Sequence, residues 1–428
     1  MSAGLERIAE RAKAAPRERF TALAHHLTED MLKETFARMN RHGAPGVDRV
    51  SMEEYAEDLD AHVADLVERM KRRAYDAPHV RRTYIPKAGN PEKLRPLGIP
   101  TVEDRLLQAA VARILGAIYE PIFLGCSYGF RPGRSAHDAL REIRATITSG
   151  RAQYALEADI RGYFDHIQHD WLLRMLELKV GDPWILRLIR KWLKAGIFDK
   201  GTVTQPEEGT PQGGPLSPLL ANVYLHYALD LWFAKVVRPR LRAGAKVVRF
   251  ADDFLLLFAD ERDAEKVAEV LPKRLAKFGL EVAPEKTRLV PFGTKTWRQG
   301  KDATGTFDFL GFSHHLGTNP RGAMVVVRVP ARKGVHRFLM EVKAWLRANM
   351  HMTPTRQQAM LAAKLRGFYQ YFGLYHCTPR LRAVRQQIAR YWRQTLGRRS
   401  QRARNSWAVL KGKPWFDLPW PRTVHPTV

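Results

Sequence analysis

The chain of 428 residues is 45% hydrophobic and 10% aromatic, so it can form sizeable cores and is not a disordered tail. Its 71 Lys and Arg outweigh 44 Asp and Glu to give a net charge of +27, which favours a polyanionic partner, most simply a nucleic acid. No apolar run approaches the ~20 residues of a membrane helix, and Met1–Arg19 has no apolar core like that of a signal peptide. Two cysteines form neither a disulfide framework nor a Cys-based zinc module. We therefore expect a cytoplasmic protein without a membrane partner.

Hydrophobic spacing and turn residues predict an α/β part followed by a helical, basic part. The predicted helices are 17–40, 51–73, 101–119, 135–149, 169–177, 183–195, 217–233, 261–278, 333–350, 354–374 and 378–396. The predicted strands, or strand-and-loop segments, are 81–100, 152–158, 287–291, 306–312 and 322–329. Lys246–Phe258 is apolar on both sides of Ala251–Asp253, which predicts a two-strand hairpin with acids at its bend.

The positive charge is concentrated in the last part of the chain. From Phe309 onward there are 22 of the 71 Lys and Arg but only two acids, Glu341 and Asp417, so this stretch carries +20 of the net charge. Arg380–Arg404 contains nine arginines and no acid, with aromatic residues interleaved and just upstream. Arginines contact phosphates and aromatic faces stack on bases, so the mixture favours a nucleic acid over the alternative, a solvated basic face on an aromatic core.

Three aspartates are candidates for a metal site. Asp252 and Asp253 lie between apolar strands, where two adjacent anions are costly unless a cation compensates them, and Arg249 is near enough in sequence to serve one of them. Asp159 ends another apolar strand, and beside the pair it would complete an oxygen-rich site that suits Mg²⁺. An isolated Asp-Asp pair favours a polar turn, but the flanking strands and the motifs below reverse that preference.

Ten short motifs follow one another over roughly residues 30–400, and their order is far more specific than any one of them. They are GAPGVD at Gly43–Asp48, YIPK at Tyr84–Lys87, LRPLGIP at Leu94–Pro100, YGFRPGR at Tyr128–Arg134, ADIRGYFD at Ala158–Asp165, TPQGGPLSP at Thr210–Pro218, FADD at Phe250–Asp253, EKT at Glu285–Thr287, FLGF at Phe309–Phe312 and LRGFYQYF at Leu365–Phe372. Together they resemble the reverse transcriptases encoded by bacterial group II introns, also called intron-encoded reverse transcriptase/maturases.

The resemblance implies an α+β fold, a right-hand polymerase with fingers, a ferredoxin-like palm and an α-helical thumb. It implies these parts: a helical N-terminal extension at 1–75, fingers at 76–155, a palm with parts of the fingers at 156–330, a helical thumb or maturase domain at 331–400 and a short basic tail at 401–428. Within the tail, Trp415–Arg422 is either a small DNA-contacting cap or a packing arm.

The resemblance also assigns site residues. The catalytic residues are Asp159, Asp252, Asp253 and Lys286, with Lys286 as a general acid for the leaving pyrophosphate. Two Mg²⁺ ions, for which Mn²⁺ is an alternative, would be held by Asp159, Asp252, Asp253 and the backbone carbonyl of Ile160. The nucleotide would be bound by Lys87, Arg95, Phe164 and Gln212, with Phe164 excluding a 2′-hydroxyl. Nucleic acid would be bound by Arg366, Arg380, Arg382, Arg385, Arg390 and Arg393. Ordinary surface charge for the cations and a core position for Phe164 are the simpler alternatives.

The expected function is RNA-directed DNA synthesis from dNTPs, with RNA template, intron RNA and a DNA primer or target as partners and the oligomeric state left open. Binding of intron RNA would assist splicing and mobility. One alternative is a domesticated relative used in phage defence, CRISPR spacer acquisition or repair; another is a maturase that binds RNA without polymerising. Two departures stand out: Phe250 replaces a more usual tyrosine, and with only two cysteines we expect no Cys-paired HNH endonuclease.

Overall fold

The structure, a computed structural model, describes residues 3–87, 90–199, 201–210, 213–300, 303–399 and 406–425, and at 86–87, 90–93 and 95 it describes the backbone only. The helices of these residues are α1 (Ala3–Ala14), α2 (Glu29–Ala37), α3 (Met52–Glu57), α4 (Leu59–Lys71), α5 (Val102–Tyr119), α6 (Ala136–Thr148), α7 (His169–Glu177), α8 (Pro183–Leu193), α9 (Ser217–Leu225), α10 (Glu261–Ala276), α11 (Thr294–Arg298), α12 (Arg332–Ala348), α13 (Pro354–Phe372), α14 (Thr378–Gly397) and α15 (Trp407–Lys411). The strands are β1 (Val80–Lys87), β2 (Asn90–Ile99), β3 (Tyr154–Ala158), β4 (Ile197–Asp199), β5 (Thr202–Thr204), β6 (Ala245–Phe250), β7 (Asp253–Phe258), β8 (Arg288–Pro291), β9 (Phe307–Phe309), β10 (Phe312–Thr318) and β11 (Met324–Pro330).

The N-terminal helices differ from the prediction in several places: α1 was not predicted, and the predicted helix at 51–73 is two helices, α3 and α4, with Asp58 between them. The predicted helix at 17–40 is wrong before Glu29, because backbone N–H groups in that segment bond to distant parts of the chain. Phe20 donates to the carbonyl of Lys179 at 2.8 Å, and Leu23 donates to the carboxylate of Asp182 at 2.7 Å. The capping box predicted at Ser51 is confirmed, since its hydroxyl accepts from the Glu54 N–H and the Glu54 carboxylate accepts from the Ser51 N–H.

A four-stranded sheet, in the order β2-β1-β4-β5, is built on the predicted strand-and-loop segment. We call it the hairpin sheet. Strands β1 and β2 are antiparallel and pair Ile85 with Arg95, and β4 joins β1 in parallel at Val80. The strands β4 and β5 were not predicted because each has three residues, too few for an alternating pattern to be visible.

A second four-stranded sheet, in the order β6-β7-β3-β8, separates two hydrophobic cores. We call it the central sheet. On its middle strand, Phe254 and Leu256 enter one core with α5, α9 and α10, whereas Leu255 and Leu257 enter the other with α6 and the C-terminal helices. A strand that is buried on both faces reads as a continuous apolar run, which is the pattern of the predicted hairpin, now confirmed at β6 and β7.

The basic C-terminal part is helical, as predicted, with α12, α13 and α14 packed on the three-stranded sheet β11-β10-β9. Trp392 is fully buried there and donates from Nε1 to Oε1 of Gln357 at 2.8 Å. Residues 406–425 pack on these helices as an arm, with Leu418 buried and the ring of Phe416 stacked 4.6 Å from that of Trp392. Within the described ranges, no helix combines the length and apolarity needed to span a bilayer.

Candidate active site

The three predicted aspartates meet at one edge of the central sheet. Asp252 lies in the two-residue turn between β6 and β7, and Asp253 begins β7. The antiparallel register of β3 and β7 pairs Ala158 with Phe254, so Asp159, the residue that follows β3, comes beside the start of β7. The sheet therefore brings together side chains that are about ninety positions apart in the sequence.

The pKa of Asp253 is affected by the proximity of the other two aspartates. Loss of hydration raises the pKa of Asp253, and repulsion by Asp252 and then Asp159 raises it further, to about 6. Lys286 opposes the shift by attraction. The Asp253 side chain is nevertheless exposed, so its carboxylate is surrounded by protein yet open to a ligand. The three carboxylates thus form a concentration of negative charge that favours a cation.

Lys286 is held against this edge by a short helical turn, Pro284–Lys286. Its ammonium forms an ion pair with Oδ2 of Asp159. The turn is fixed to the residues that follow β3, because Ala283 donates its N–H to the Asp159 carbonyl at 2.8 Å and Arg161 donates to the Glu281 carbonyl at 2.9 Å. These bonds flank Ile160 and use neither its N–H nor its carbonyl, so the Ile160 carbonyl is not committed to the pairing.

The donor chemistry of this edge fits a hard divalent cation. Asp159, Asp252 and Asp253 offer carboxylate oxygens and Ile160 offers a carbonyl oxygen, which are the ligands that Mg²⁺ prefers. In the part of the chain that the structure describes, however, no three His, Cys, Asp or Glu side chains converge closely enough to hold an ion as they stand. One oxygen of Asp159 instead contacts the Lys286 ammonium.

A buried arginine organises the turn that carries the aspartates. Arg249 and Asp230 have side chains with 0% exposure and form a two-point ion pair, Nε to Oδ1 at 2.9 Å and Nη2 to Oδ2 at 2.6 Å. Nη1 of Arg249 donates to Oδ1 of Asn222 and to the carbonyl of Ala251, each at 2.9 Å. The charge partner that the structure gives to the Arg249 guanidinium is Asp230, a residue that the sequence analysis did not consider.

The pKa of Arg249 records this arrangement. Burial by itself lowers the pKa of the guanidinium, but the charge and hydrogen bonds of Asp230 raise it overall. Asp230 lies in a π-helical turn, His226–Asp230, that continues α9. Sequence reasoning missed this pair; the available signal was an arginine within the apolar strand β6, which requires a buried acid from elsewhere in the chain.

The turn is also held from its other side, by the loop before α6. Ala251 has φ of 56°, in the left-handed region that is unfavourable for a residue with a side chain. Gly129 lies against it so closely that a Cβ there would be 2.4 Å from the Ala251 nitrogen. Asn222 donates from Nδ2 to the Gly129 carbonyl at 2.8 Å, and Tyr128 donates its N–H to the Arg249 carbonyl at 2.8 Å.

A cavity of about 390 Å³ lies beside Phe164, between the hairpin sheet and the segment 204–210. The Phe164 ring is half-buried, 5.3 Å from that of Tyr163, and the Phe164 carbonyl accepts from the Thr210 N–H at 2.9 Å. Gln212 lies outside the described residues. Lys87 and Arg95 lie on the paired strands β1 and β2, and this placement is all that the structure describes of them.

Comparison with known proteins now identifies the family. A family model described as "Reverse transcriptase (RNA-dependent DNA polymerase)" matches residues 85–314, which is more than half of the chain. The chain belongs to the reverse transcriptase family. Membership implies the right-hand polymerase fold, with which the observed mixture of helix and sheet agrees.

The curated relatives place it among the group II intron reverse transcriptases and maturases. It is 40% identical over 224 residues to the group II intron-encoded protein LtrA of Lactococcus lactis subsp. cremoris, covering 52% of this chain and 37% of LtrA. It is 34% identical over 241 residues to the protein YkfC of Escherichia coli K12, covering 50% of this chain and 63% of YkfC. An uncharacterised 91 kDa protein in the cob intron of Schizosaccharomyces pombe is 40% identical over 161 residues, covering 38% of this chain and 20% of that protein. The chain thus spans less than two thirds of each of these relatives.

The arginines predicted to bind nucleic acid fall into two groups in the structure. Arg366, Arg382 and Arg390 are exposed on α13 and α14. The others contact the protein itself: Arg380 donates to the Pro330 carbonyl at 2.9 Å, and Arg393 lies 4.9 Å from the centre of the Trp407 ring.

Of these arginines, Arg385 is held within the protein by two hydrogen bonds and an aromatic contact. It donates to the Leu418 carbonyl and to Oδ1 of Asp417, each at 3.0 Å, and it lies 3.9 Å from the centre of the Trp420 ring. Its side chain is 15% exposed as a result. The arm therefore contacts Arg385 and Arg393, whereas the three arginines of the first group remain exposed.

Asp230→Asn tests the buried pair. The variant leaves the Arg249 guanidinium buried without a charge partner, so we expect the free energy of unfolding to fall by about 3–5 kcal/mol, measured by urea denaturation. The double variant Asp230→Leu with Arg249→Met should recover most of the loss. Glu269→Gln, which breaks an exposed ion pair with Lys273, is the matched control and should leave the midpoint nearly unchanged. A midpoint for Asp230→Asn equal to that of the control would contradict the role of the pair.

Proposed function

We propose that the protein is an RNA-directed DNA polymerase of the group II intron type, which copies an RNA template into DNA from dNTPs. The observation that carries the proposal is the register of β3 and β7, which sets Asp159 beside Asp252 and Asp253 at one sheet edge. Membership of the reverse transcriptase family supports it, and the maturase that no longer polymerises is the less favoured alternative. A chain that only binds RNA has no use for three costly carboxylates at one edge.

In this proposal Asp159, Asp252, Asp253 and the Ile160 carbonyl would hold two Mg²⁺ ions, with Mn²⁺ as a substitute. When bound, such ions activate the primer 3′-hydroxyl and stabilise charge on the departing pyrophosphate. The chain's own part is to fix the oxygens in place before substrate arrives. The Arg249–Asp230 pair does this through the Ala251 carbonyl, because that bond sets the backbone directly before Asp252.

The remaining site residues handle the nucleotide. Lys286, whose ammonium lies against Asp159, would hold a proton at Nζ beside the leaving pyrophosphate. Lys87 and Arg95, carried on the hairpin sheet, would bind the triphosphate, and Gln212 would contact the nucleotide. Phe164 would lie under the sugar, where its ring leaves no room for a 2′-hydroxyl; the adjoining cavity supports this placement.

We assign the parts of the right-hand fold as follows: a helical extension at 1–75, fingers at 76–155, the palm at 156–330, the thumb at 331–400 and a tail at 401–428. The thumb and extension would also bind intron RNA and assist its splicing and mobility. The group II intron relatives and the +20 charge after Phe309 favour this second role. It is binding rather than chemistry, since basic side chains neutralise phosphates while the RNA reacts.

Replacing Asp252 and Asp253 with Asn should abolish primer extension on an RNA template. Loss of the charges that hold the metal removes the activation of the 3′-hydroxyl, so we expect a rate at least about 1,000-fold lower. RNA affinity, measured by filter binding, should change less than about twofold. Glu265→Gln with Glu269→Gln on α10 is the matched control, with the same change of charge away from the sheet edge. Retained extension by the Asn variant would refute the metal assignment.

Phe164→Ala tests the sugar gate. Removal of the ring should lower the preference for dNTP over rNTP, as a ratio of kcat/KM, by about 10- to 100-fold, because a steric exclusion is lost. Ile197→Ala enlarges the same cavity without removing a ring and should leave the preference unchanged. Equal sugar preference in Phe164→Ala and wild type would exclude Phe164 as the gate.

Changing Arg366, Arg382 and Arg390 together to Gln tests the nucleic-acid surface. Each lost phosphate contact should make the slope of log affinity against log salt shallower by about 0.9. The matched control changes Arg262, Lys266 and Lys277, three exposed cations on or beside α10, and should keep the wild-type slope. If both triple variants give the same slope, the exposed arginines of α13 and α14 are an ordinary solvated face.

A further inference from the structure

Phe130 combines a strained backbone with an exposed ring. Its φ is 56°, in the left-handed region, and its side chain is 56% exposed. A bulky aromatic residue in this region is an outlier that glycine would relieve. Its ring belongs to neither hydrophobic core of the described residues, so packing within the chain does not account for it.

The strain is imposed from both sides. Before Phe130, Gly129 is pressed against Ala251, and its carbonyl accepts from Asn222 at 2.8 Å. After it, Arg131 is buried and bonds to both carboxylate oxygens of Glu120 and to the carbonyl of Ser127 at 3.0 Å. The flanking residues are therefore fixed, and the chain between them directs an aromatic side chain toward solvent. Strain held in this way is typical of functional positions.

The position of the ring suggests what it meets. Asn222 joins the Gly129 carbonyl to Arg249, and Arg249 in turn holds the Ala251 carbonyl directly before Asp252. Phe130 is thus attached, through two side chains, to the turn at which a primer end would be extended. Nucleobases present flat apolar faces, and aromatic side chains are the usual surface on which proteins stack them.

We propose that the Phe130 ring is a stacking platform for the nucleobase at the growing end of the primer. The inference rests on the proposed function, because it takes the turn at Asp252 as the place where the primer ends. It adds a binding residue to that site: the ring holds the terminal base, and the rigid link through Asn222 and Arg249 keeps the base in register with the carboxylates.

Phe130→Gly separates this role from a structural one. Glycine removes the strain, so the variant should unfold at the same temperature as wild type or higher. It should nevertheless bind an RNA template annealed to a DNA primer about tenfold more weakly, because one stacked base is lost. The probe carries 2-aminopurine at the primer 3′ end, whose fluorescence is quenched by stacking, and binding is measured without metal or dNTP.

Three further variants complete the test. Phe130→Trp keeps a ring and should bind within about twofold of wild type, whereas Phe130→Leu keeps bulk without a ring and should bind as weakly as Phe130→Gly. Arg73→Gly is the control for relief of strain, since Arg73 also has a left-handed φ, of 60°, but directly follows the C-cap of α4 in the N-terminal helices. It should keep wild-type quenching of the 2-aminopurine in the bound duplex, because quenching depends on stacking of the terminal base and not on the charge of Arg73.

Wild-type affinity and quenching in Phe130→Gly or Phe130→Leu would overturn the proposal, as would weak binding by Phe130→Trp. The assay requires no catalysis, so its failure is distinguishable from failure of the polymerase proposal. If binding depends on the ring but the wild-type chain never extends a primer, the polymerase proposal is refuted and the stacking role of Phe130 is retained. Extension by wild type together with ring-independent binding would refute only the platform.

Discussion

The candidate active site depends on one buried ion pair, Arg249 with Asp230. Removal of two charges from water costs several kcal/mol per ion, which is recovered only with good geometry and further hydrogen bonds. Here the pair is joined at two points and the remaining donor of Arg249 reaches Asn222 and the Ala251 carbonyl. A single guanidinium therefore connects β6, the π-helical continuation of α9 and the turn of the hairpin, three elements that have to meet correctly for the carboxylates to align.

The buried pair and the sheet edge differ in their electrostatics. Asp230 compensates the charge of Arg249. At the sheet edge, loss of hydration and then repulsion by Asp252 and Asp159 raise the pKa of Asp253 to about 6. Lys286 supplies positive charge to Asp159 from a flexible side chain that is 61% exposed. The Arg249 cation is thus buried and paired with Asp230, whereas the Lys286 cation lies at the exposed edge beside Asp159.

The excess positive charge is likewise divided by structure. The arm at 406–425 takes up Arg385 through Asp417, Leu418 and Trp420, whereas Arg382 and Arg390 on the same helix are exposed. The net charge of +20 after Phe309 thus has two uses, one in holding the arm on the C-terminal helices and one at the surface. From composition alone, all of these basic residues would be expected to bind nucleic acid.

The sequence by itself determined the features that are encoded locally: the hairpin at Lys246–Phe258 and the helices α12, α13 and α14, whose apolar spacing survives in any context. The order of the motifs also indicated the family and singled out the three aspartates as candidate metal ligands. Tertiary structure alone decided the strands β4 and β5, the absence of an α-helix over residues 17–28, the partner of Arg249 and the strain at Phe130. The strand β5 pairs with β4 over three residues, too few for an alternating pattern to be visible. In the other cases the deciding contact is made with residues distant in sequence, so neither periodicity nor propensity at the position itself contains the information.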